Sequence, residues 1–298
     1  MTTTAPRPTT PAPPEPVPTE EAGPAGRAER GHGWTYVVLS VGLVLLVVPF
    51  LWMLLGAFKT DVELRRVPPT WLPETVTLEN FTELFQRLDF PTYFFNSTLV
   101  AVVVTLGNLV FCSMLGYALA KMEVRGKKVL FGLVLGMLMV PGMVTFVPLF
   151  VLVANLGLVN TYPGLILPFL AAPFGVFLMR QFMSEIPDEL LDAGRIDGAG
   201  EFRIFRTIVL PLTAPALATL GILTFLGSWN NFLWPLVVAQ TEDKYTLPVA
   251  LALVSVGQNA TRYGLLMAGA VVVVTPIVLL FVALQRYFVQ GVAVTGIK

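Results

Sequence analysis

The sequence predicts an all-α integral membrane protein with six transmembrane helices, and two observations support this fold class. First, 55% of the 298 residues are hydrophobic and only 13% are charged, whereas about a quarter of the residues of an ordinary soluble domain are charged. Second, the apolar residues form six long runs, and about 20 such residues make one helix that spans a bilayer. We therefore expect membrane lipid to surround most of the chain.

Residues 1–31 are predicted to be a disordered Pro- and Thr-rich cytoplasmic tail. They contain eight of the 24 prolines, and such a segment buries too little apolar surface to offset the entropy lost on ordering. The apolar run that follows is too long and begins too late for a cleavable signal peptide. Residues 32–298 are then expected to form one six-span domain.

Each apolar run is expected to cross the membrane once. The first extends from Trp34 to Phe58 and carries no charge. The other five cover about 97–120, 129–154, 162–179, 212–238 and 263–284. The longest loop between runs, 59–96, is predicted to contain a short helix at 78–88.

Prolines interrupt two of these runs. Pro141-Gly142 and Pro148 lie in the third, and three more prolines lie in the fourth. Broken backbone at membrane depth is tolerated only where it packs on protein or lines a cavity, and transporters use such breaks to build pathways. The prolines indicate either a pathway or simple kinking of membrane helices.

The distribution of Lys and Arg predicts the orientation. If the N-terminus is inside, 13 of the 19 basic residues fall in inner segments and six in outer ones, as the positive-inside rule requires. Both termini and the loop at about 181–211 are therefore expected in the cytoplasm, in a multi-pass protein of the cell (cytoplasmic or inner) membrane.

The scarcity of reactive side chains excludes several classes of function. The net charge is zero, so no basic field suggests a nucleic-acid partner. Cys112 and His32 are the single cysteine and histidine, which leaves no disulfide and no pair of metal ligands. A membrane enzyme would need clustered His, Asp or Glu, so no catalytic or metal-binding residue is assigned.

The polar loop at about 181–211 is the most informative segment. Residues Ser184 to Pro187 are predicted to start a helix, because proline is tolerated in the first turn. Asp188 and Glu189 follow where negative charge favours the N-terminal end of the helix dipole. One face of this helix is expected to be formed by Ile186, Leu190 and Ala193. Gly198 and Gly200 are expected to break the helix, and a second helix is expected at 201–209.

Two phenylalanines of the second helix, Phe202 and Phe205, are expected to be exposed to whatever covers them. A short helix with a glycine break and exposed aromatic residues indicates a docking surface for a partner. The alternative is an amphipathic helix that lies on lipid headgroups. The first helix is acidic and short, whereas lipid-surface helices favour Lys and Arg, so docking is favoured.

The loop resembles the conserved cytoplasmic loop of ABC importer permeases. Its pattern is Asp192-Ala193-Gly194, three residues, Gly198, nine residues, and Ile208-Val209-Leu210-Pro211. The family form is Glu-Ala-Ala, three residues, Gly, nine residues, Ile-x-Leu-Pro. The chain departs from it at Asp192 and Gly194, and the glycine should weaken the helix by up to about 1 kcal/mol relative to alanine.

Three further segments resemble the carbohydrate branch of this family, in particular the second, smaller permease subunit of maltose-type sugar importers. They are Ser228-Trp-Asn-Asn-Phe-Leu-Trp-Pro235, Tyr245-Thr-Leu-Pro-Val-Ala-Leu251 and residues 285–298. The resemblance covers about residues 33–298. It implies a type I ABC importer permease fold with a cytoplasmic coupling helix, in a subunit that forms half of the pathway for a sugar or oligosaccharide.

The resemblance also implies partners. These are a second six-span permease subunit, an ABC ATPase dimer and an extracytoplasmic sugar-binding protein. The coupling helix seated in the ATPase would include Glu189, Asp192, Ala193, Gly194, Asp197, Gly198, Ala199 and Phe202. Residues from about 291 to 298 would also reach the ATPase. The chain lacks a Gly-x-x-x-x-Gly-Lys-Ser/Thr loop, so ATP and Mg are expected on the partner ATPase.

Four residues of the fifth run are candidates for the substrate pathway: Trp229, Asn230, Asn231 and Trp234. They combine flat apolar faces with amides, which sugars require, but the amides could instead bond to a neighbouring helix. Asn108 and Thr105 are expected to make interhelical contacts. Two alternatives stay open: an ABC permease for a non-sugar solute, and a secondary carrier. A carrier would need ionisable residues within its spans, and none lies between the ends of a run.

Overall fold

The computed structural model describes residues 32–255 and 262–294. The chain divides into two units, residues 1–49 and 50–298. The described part of the first unit is the start of one apolar helix. Every described element is helical. The predicted disordered tail at 1–31 and the last four residues of the chain lie outside the described residues.

Fifteen α-helices make up the described chain. They are α1 His32–Ala57, α2 Asp61–Leu64, α3 Glu79–Arg87, α4 Phe90–Lys121, α5 Lys127–Met139, α6 Gly142–Asn155, α7 Tyr162–Ile166, α8 Pro173–Ser184, α9 Asp188–Ile196, α10 Glu201–Ile204, α11 Leu210–Leu212, α12 Ala214–Trp229, α13 Leu233–Val238, α14 Leu247–Ser255 and α15 Tyr263–Val294. Two 3₁₀ turns, Leu167–Phe169 and Glu242–Lys244, and a π-helical turn, Phe205–Val209, join some of them. The short helix predicted at 78–88 is confirmed as α3.

Among the described residues, three helical segments are long and apolar enough to cross a membrane: α1, α4 and the continuous stretch Tyr162–Ser184. The number rises to five if each of two bent helix pairs is one span. Within α15, Tyr263–Leu279 is a shorter apolar stretch.

Sharp bends in two helix pairs help explain why fewer than the six predicted spans are found as single long helices. α5 and α6 meet at an angle of 104°, and the break falls at Val140 and Pro141, because proline disfavours helical geometry in the residue before it and cannot donate a backbone hydrogen bond. The predicted interruption at Pro141-Gly142 is thus confirmed, whereas Pro148 lies inside α6. The segment Glu201–Leu212 meets α12 at 80°.

The fifth run is not one continuous helix. α12 ends at Trp229, and three residues, Asn230 to Phe232, separate it from α13. The backbone N–H of Asn230 closes the last turn of α12 on the Leu226 carbonyl.

Helix α4 is central to the second unit, where it packs most extensively on α8 and α12. Small residues allow the close approach, as in many membrane helix pairs. A β-carbon at Gly116 would lie 2.8 Å from the Met179 Cβ and 2.9 Å from the Arg180 backbone nitrogen. Cys112, the packing residue opposite Gly175, is fully buried. Helix α4 is therefore fixed closely against α8.

Candidate functional site

The 181–211 loop contains the predicted helix, break and second helix. α9 begins directly after Pro187 and ends at Ile196, and Gly198 then adopts a left-handed backbone with φ of +77°. This conformation is accessible to glycine without the steric cost that a side chain brings. The second limb of the loop starts at Glu201 and continues through the π-helical turn into α11.

The packing face of α9 differs from the predicted one. Leu190 is 45% exposed, while Leu191 and Gly194 are buried. A β-carbon at Gly194 would lie 3.1 Å from Ile208 Cδ1, so the glycine leaves room for the isoleucine side chains of the second limb. The prediction that Leu190 and Ala193 lie on the same buried face as Ile186 was wrong. The second limb decides which side of α9 is covered, and the helical period of α9 alone carries no information about that limb.

The two phenylalanines of the second limb also behave differently from each other. Phe202 is 68% exposed, as predicted. Phe205 is 6% exposed, and its ring packs against that of Tyr117 with 5.2 Å between centroids. The predicted exposure of Phe205 was therefore wrong, because the end of α4 covers it.

The outer surface of the loop combines acidic and apolar side chains. Six of the eight residues expected to contact an ATPase are exposed: Glu189, Asp192, Ala193, Asp197, Gly198 and Phe202. Ala199 is half-buried and Gly194 is buried. Ile196, which the sequence argument did not single out, is 86% exposed. The loop thus presents an uncovered surface in this single chain.

A network of charged groups ties the two limbs of the loop together. Arg195 donates from Nε to Glu201 Oε1 (2.9 Å) and from Nη1 to Asp192 Oδ1 (2.8 Å). The Tyr117 hydroxyl donates to Glu201 Oε2 (2.6 Å). The hydrogen bonds from Arg195 and Tyr117 hold the pKa of Glu201 below its usual value, because they stabilise the carboxylate. The two carboxylates in turn raise the pKa of Arg195.

A second tie joins the start of α9 to the end of α4. Lys121 donates from Nζ to the Ile186 carbonyl (2.5 Å) and to Asp188 Oδ1 (2.6 Å). The Lys121 hydrogen bond and charge lower the pKa of Asp188. Tyr117 and Lys121 were not predicted from the sequence, since each lies at least 65 residues from its partners in the loop.

A cavity of about 360 Å³ forms the second candidate site. Its wall is mostly apolar and is built by α4, α12, α13 and the segment from α7 to α8. The polar residues in the wall are Asn108, Thr224, Ser228 and Asn231. A mostly apolar pocket with a few convergent polar groups is the usual form of a small-molecule site.

The four pathway candidates take different positions relative to this cavity. Asn231 lines it, and so does Trp234, although Trp234 is only 2% exposed and its Nε1 donates to the Gly164 carbonyl (3.1 Å). Trp229 is buried, and its Nε1 donates to the Val273 carbonyl (3.1 Å). Asn230 is exposed and bonds within its own helix. Both indole N–H groups are therefore already occupied by backbone carbonyls.

Asn108 makes the interhelical contacts predicted for it. Its Nδ2 donates to the Phe169 carbonyl (2.6 Å) and its Oδ1 accepts from the Ala172 backbone N–H (2.9 Å). The Thr105 hydroxyl donates to the Ala101 carbonyl of its own helix, while its methyl group lies beside Gly221 of α12. The described residues contain no group of three His, Cys, Asp or Glu that could hold a metal ion.

A solved structure shares this fold. A crystal structure of a bacterial ABC transporter involved in the import of the acidic polysaccharide alginate contains a chain that superposes with a TM-score of 0.79. The match covers 88% of this chain and 98% of that chain, at 23% sequence identity. The likeness is one of fold.

The sequence comparisons identify the family. Residues 112–294 match the family described as "Binding-protein-dependent transport system inner membrane component", and the chain belongs to this family. It is 44% identical over 270 residues to the arabinooligosaccharides transport system permease protein AraQ of Halalkalibacterium halodurans, covering 88% of this chain and 96% of AraQ. It is 32% identical to the sn-glycerol-3-phosphate transport system permease protein UgpE of Yersinia enterocolitica, covering 86% and 94%. The chain is thus a multi-pass inner-membrane transport permease and not a member of an enzyme family.

Proposed function

We propose that this chain is one permease subunit of an ATP-driven ABC importer for a sugar or oligosaccharide, and that it forms half of the translocation pathway. The observation that supports coupling to a separate ATPase is the uncovered surface of α9, which carries an acidic and apolar set of side chains at the end of the helical bundle. The 44% identity to AraQ supports an oligosaccharide as the solute. The likeness to UgpE supports a second candidate for the transported solute, namely another small polar molecule.

The proposed topology has six spans with both termini in the cytoplasm. The bent pair α5–α6 counts as one span, the run at about 212–238 that contains α12 and α13 is the fifth, and α15 is the sixth. Residues 1–31 are a disordered cytoplasmic tail, and residues 32–298 are the permease domain. The bias of basic residues toward the proposed inner segments supports this orientation.

In the proposed mechanism, α9 is the coupling helix and sits in a cleft of an ABC ATPase dimer that holds ATP and Mg. The coupling segment seated in the cleft comprises Glu189, Asp192, Ala193, Gly194, Asp197, Gly198, Ala199 and Phe202. Gly194 supports the exposed surface of this segment from beneath, because it is buried against the second limb. The end of the chain from about 291 contacts the same ATPase; residues 295–298 lie outside the described part.

The transport cycle follows from this arrangement. The ATPases close when they bind ATP, α9 moves with them, and the spans change from an inward-facing to an outward-facing arrangement. An extracytoplasmic sugar-binding protein then delivers the solute to a path between this chain and a second six-span permease subunit. Asn231 is the pathway candidate with an amide at the cavity wall, and Trp234 contributes ring surface there, since its N–H group is already bonded. Trp229 is buried and does not line the cavity.

The coupling assignment is tested by a bulky residue at Gly198. Gly198→Trp and Gly198→Asp are expected to leave membrane insertion intact and to abolish recovery of the ATPase when the tagged chain is purified in mild detergent. Gly157→Trp is the matched control. Gly157 also has a left-handed backbone, with φ of +68°, and like Gly198 it has open space around the missing side chain, so it carries the same backbone strain outside the loop.

Normal ATPase recovery and normal solute uptake in both Gly198 variants would overturn the coupling assignment. The solute is tested separately, in proteoliposomes that contain the complete transporter and its binding protein. Uptake of a labelled arabinooligosaccharide, and not of labelled glycerol phosphate, is the expected result, and the reverse result would establish the second candidate.

A further inference from the structure

One carboxylate, that of Glu201, connects three elements of the structure. Glu201 is the first residue of the second limb of the 181–211 loop. One oxygen of its carboxylate accepts a hydrogen bond from Arg195 of α9, and the other accepts one from Tyr117 of α4. Both oxygens are thus used, and each by a different element. Charge-assisted hydrogen bonds of this kind are stronger and geometrically more specific than neutral ones.

The tyrosine at the other end of this link is held firmly. The Tyr117 side chain is 4% exposed, and its ring contacts the buried ring of Phe205. Its neighbour Gly116 has no room for even a β-carbon beside Met179 of α8. The hydroxyl of Tyr117 is therefore held in a fixed position relative to α4 and moves with that helix.

Lys121 strengthens the same connection. It lies four residues after Tyr117, so both side chains project from one face of α4, and it holds the start of α9 through Asp188 and the Ile186 carbonyl. Arg195 meanwhile holds Asp192 as well as Glu201. Helix α9 is thus attached to the last turn of α4 near both of its ends.

Helix α4 also forms part of the cavity. Val100, Val104 and Asn108 line it at intervals of four residues, which places them along one face of the helix. Asn108 lies nine residues before Tyr117, about 14 Å along the helix axis. A displacement of α9 that pulls on Tyr117 would therefore move a wall of the cavity.

We propose that Tyr117 and Glu201 are positioning residues which, together with Arg195, transmit the movement of α9 to α4 and so to the cavity. This inference rests on the proposed function, since it assumes that an ATPase moves α9. The Tyr117–Glu201 and Glu201–Arg195 contacts lie within this chain, and none of these three residues belongs to the set proposed to meet the ATPase. Their loss should therefore uncouple ATP hydrolysis from transport while the ATPase stays bound.

The test uses the complete transporter in proteoliposomes, with its second permease, ATPase and binding protein. Tyr117→Phe removes only the hydroxyl and keeps the ring against Phe205, and Glu201→Gln removes the charge with little change of shape. Each variant is expected to retain ATPase recovery and ATP hydrolysis. The number of ATP molecules hydrolysed per solute molecule imported is expected to rise at least fivefold, near the lower end of typical coupling between sites.

Tyr162→Phe is the matched control. The Tyr162 hydroxyl makes a hydrogen bond of similar length to Asn96 (2.7 Å), but Asn96 lies 21 residues before Tyr117 on α4, about 31 Å away along the axis. This control should lose a comparable hydrogen bond without any change in the ATP-to-solute ratio. A merely structural role for Tyr117 would give the two tyrosine variants the same ratio, and that result would overturn the proposal.

A double variant distinguishes one shared link from two independent effects. If Tyr117 and Glu201 act through their mutual hydrogen bond, Tyr117→Phe/Glu201→Gln should uncouple no more than the stronger single variant. If the double variant raised the ATP-to-solute ratio by the product of the two single-variant increases, that result would contradict the proposal. Failure of the unmodified complex to import any solute would instead contradict the proposed function, so the two failures are distinguishable.

Discussion

The two ends of α4 are anchored by different chemistry. At the Phe90 end, Asn96 is fully buried; its Nδ2 donates to the carbonyls of Asp243 (3.0 Å) and Tyr245 (2.9 Å), and its Oδ1 accepts from Tyr162. These groups are neutral amides, carbonyls and a hydroxyl. The Phe90 end is thus held by a buried neutral network.

At the Lys121 end, the buried side chains of Lys121 and Tyr117 bond to charged groups of the loop that are substantially exposed to solvent. The Asp188 side chain is 75% exposed, and those of Arg195 and Glu201 are 39% and 40% exposed. Exposed ion pairs typically stabilise a fold by at most about 1 kcal/mol, whereas a buried polar group that loses its partner costs about 1–3 kcal/mol. The comparison indicates that α4 is closely packed at both ends, but that its polar ties to the loop proposed to move, at the Lys121 end, are weaker than the buried network at the Phe90 end.

The largest effect is expected from breaking the neutral network. Asn96→Leu would leave two partly buried carbonyls and one hydroxyl without their partner, so we expect a loss of about 3 kcal/mol of stability, given about 1–3 kcal/mol for each unsatisfied buried group. Asn230→Leu is the control, because Asn230 is exposed and bonds only to its own helix. The midpoint of thermal unfolding in detergent, followed by tryptophan fluorescence, measures both. Equal midpoints would contradict the buried network as the anchor.

A smaller effect is expected from the packing beside Tyr117. Gly116→Ala would force Met179 and the Arg180 backbone to shift, and overpacking of this kind costs about 1–3 kcal/mol. Gly132 of α5 is also a helical glycine, but nothing lies within 4 Å of its missing β-carbon. Gly132→Ala should therefore be neutral or stabilise the helix by up to about 1 kcal/mol. A Gly116→Ala protein as stable as the Gly132→Ala protein would show that the Lys121 end is not closely packed.

Helix starts, helix ends and helix breaks were predicted well from the sequence. Proline before acidic residues predicted the start of α9, and the position of Gly198 predicted its end, because both depend on backbone preferences within a few residues. The break at Pro141 was predicted for the same reason. The break at Asn230 to Phe232 was not predicted, because none of these three residues is a proline or a glycine and the fifth apolar run continues through them.

Features that depend on distant parts of the chain were not predictable in this way. Tyr117 and Glu201 are 84 residues apart, and Asn96 and Asp243 are 147 apart. Whether Phe205 is covered also depends on where α4 ends in space. A helical period identifies candidate faces, but it cannot say which face another segment will cover.

The smallest expected effect concerns pH and separates the two ends directly. The pKa of Glu201 lies below its usual value because Arg195 and Tyr117 donate to the carboxylate. A carboxyl group with a lowered pKa stabilises the fold above its unfolded pKa, about 4.3 for Glu, and that contribution is lost as the pH falls through the folded value.

Glu201→Gln should therefore reduce the unfolding midpoint at pH 7 and make less difference at pH 3.5. The difference should correspond to less than about 1 kcal/mol, since the group is 40% exposed and screened by solvent. Asn96→Leu serves as the comparison, because an amide does not titrate and its deficit should be the same at both pH values. If the Glu201→Gln deficit also stays constant with pH, the carboxylate charge is not what holds the Lys121 end, and the contrast between the two ends of α4 would have to rest on packing alone.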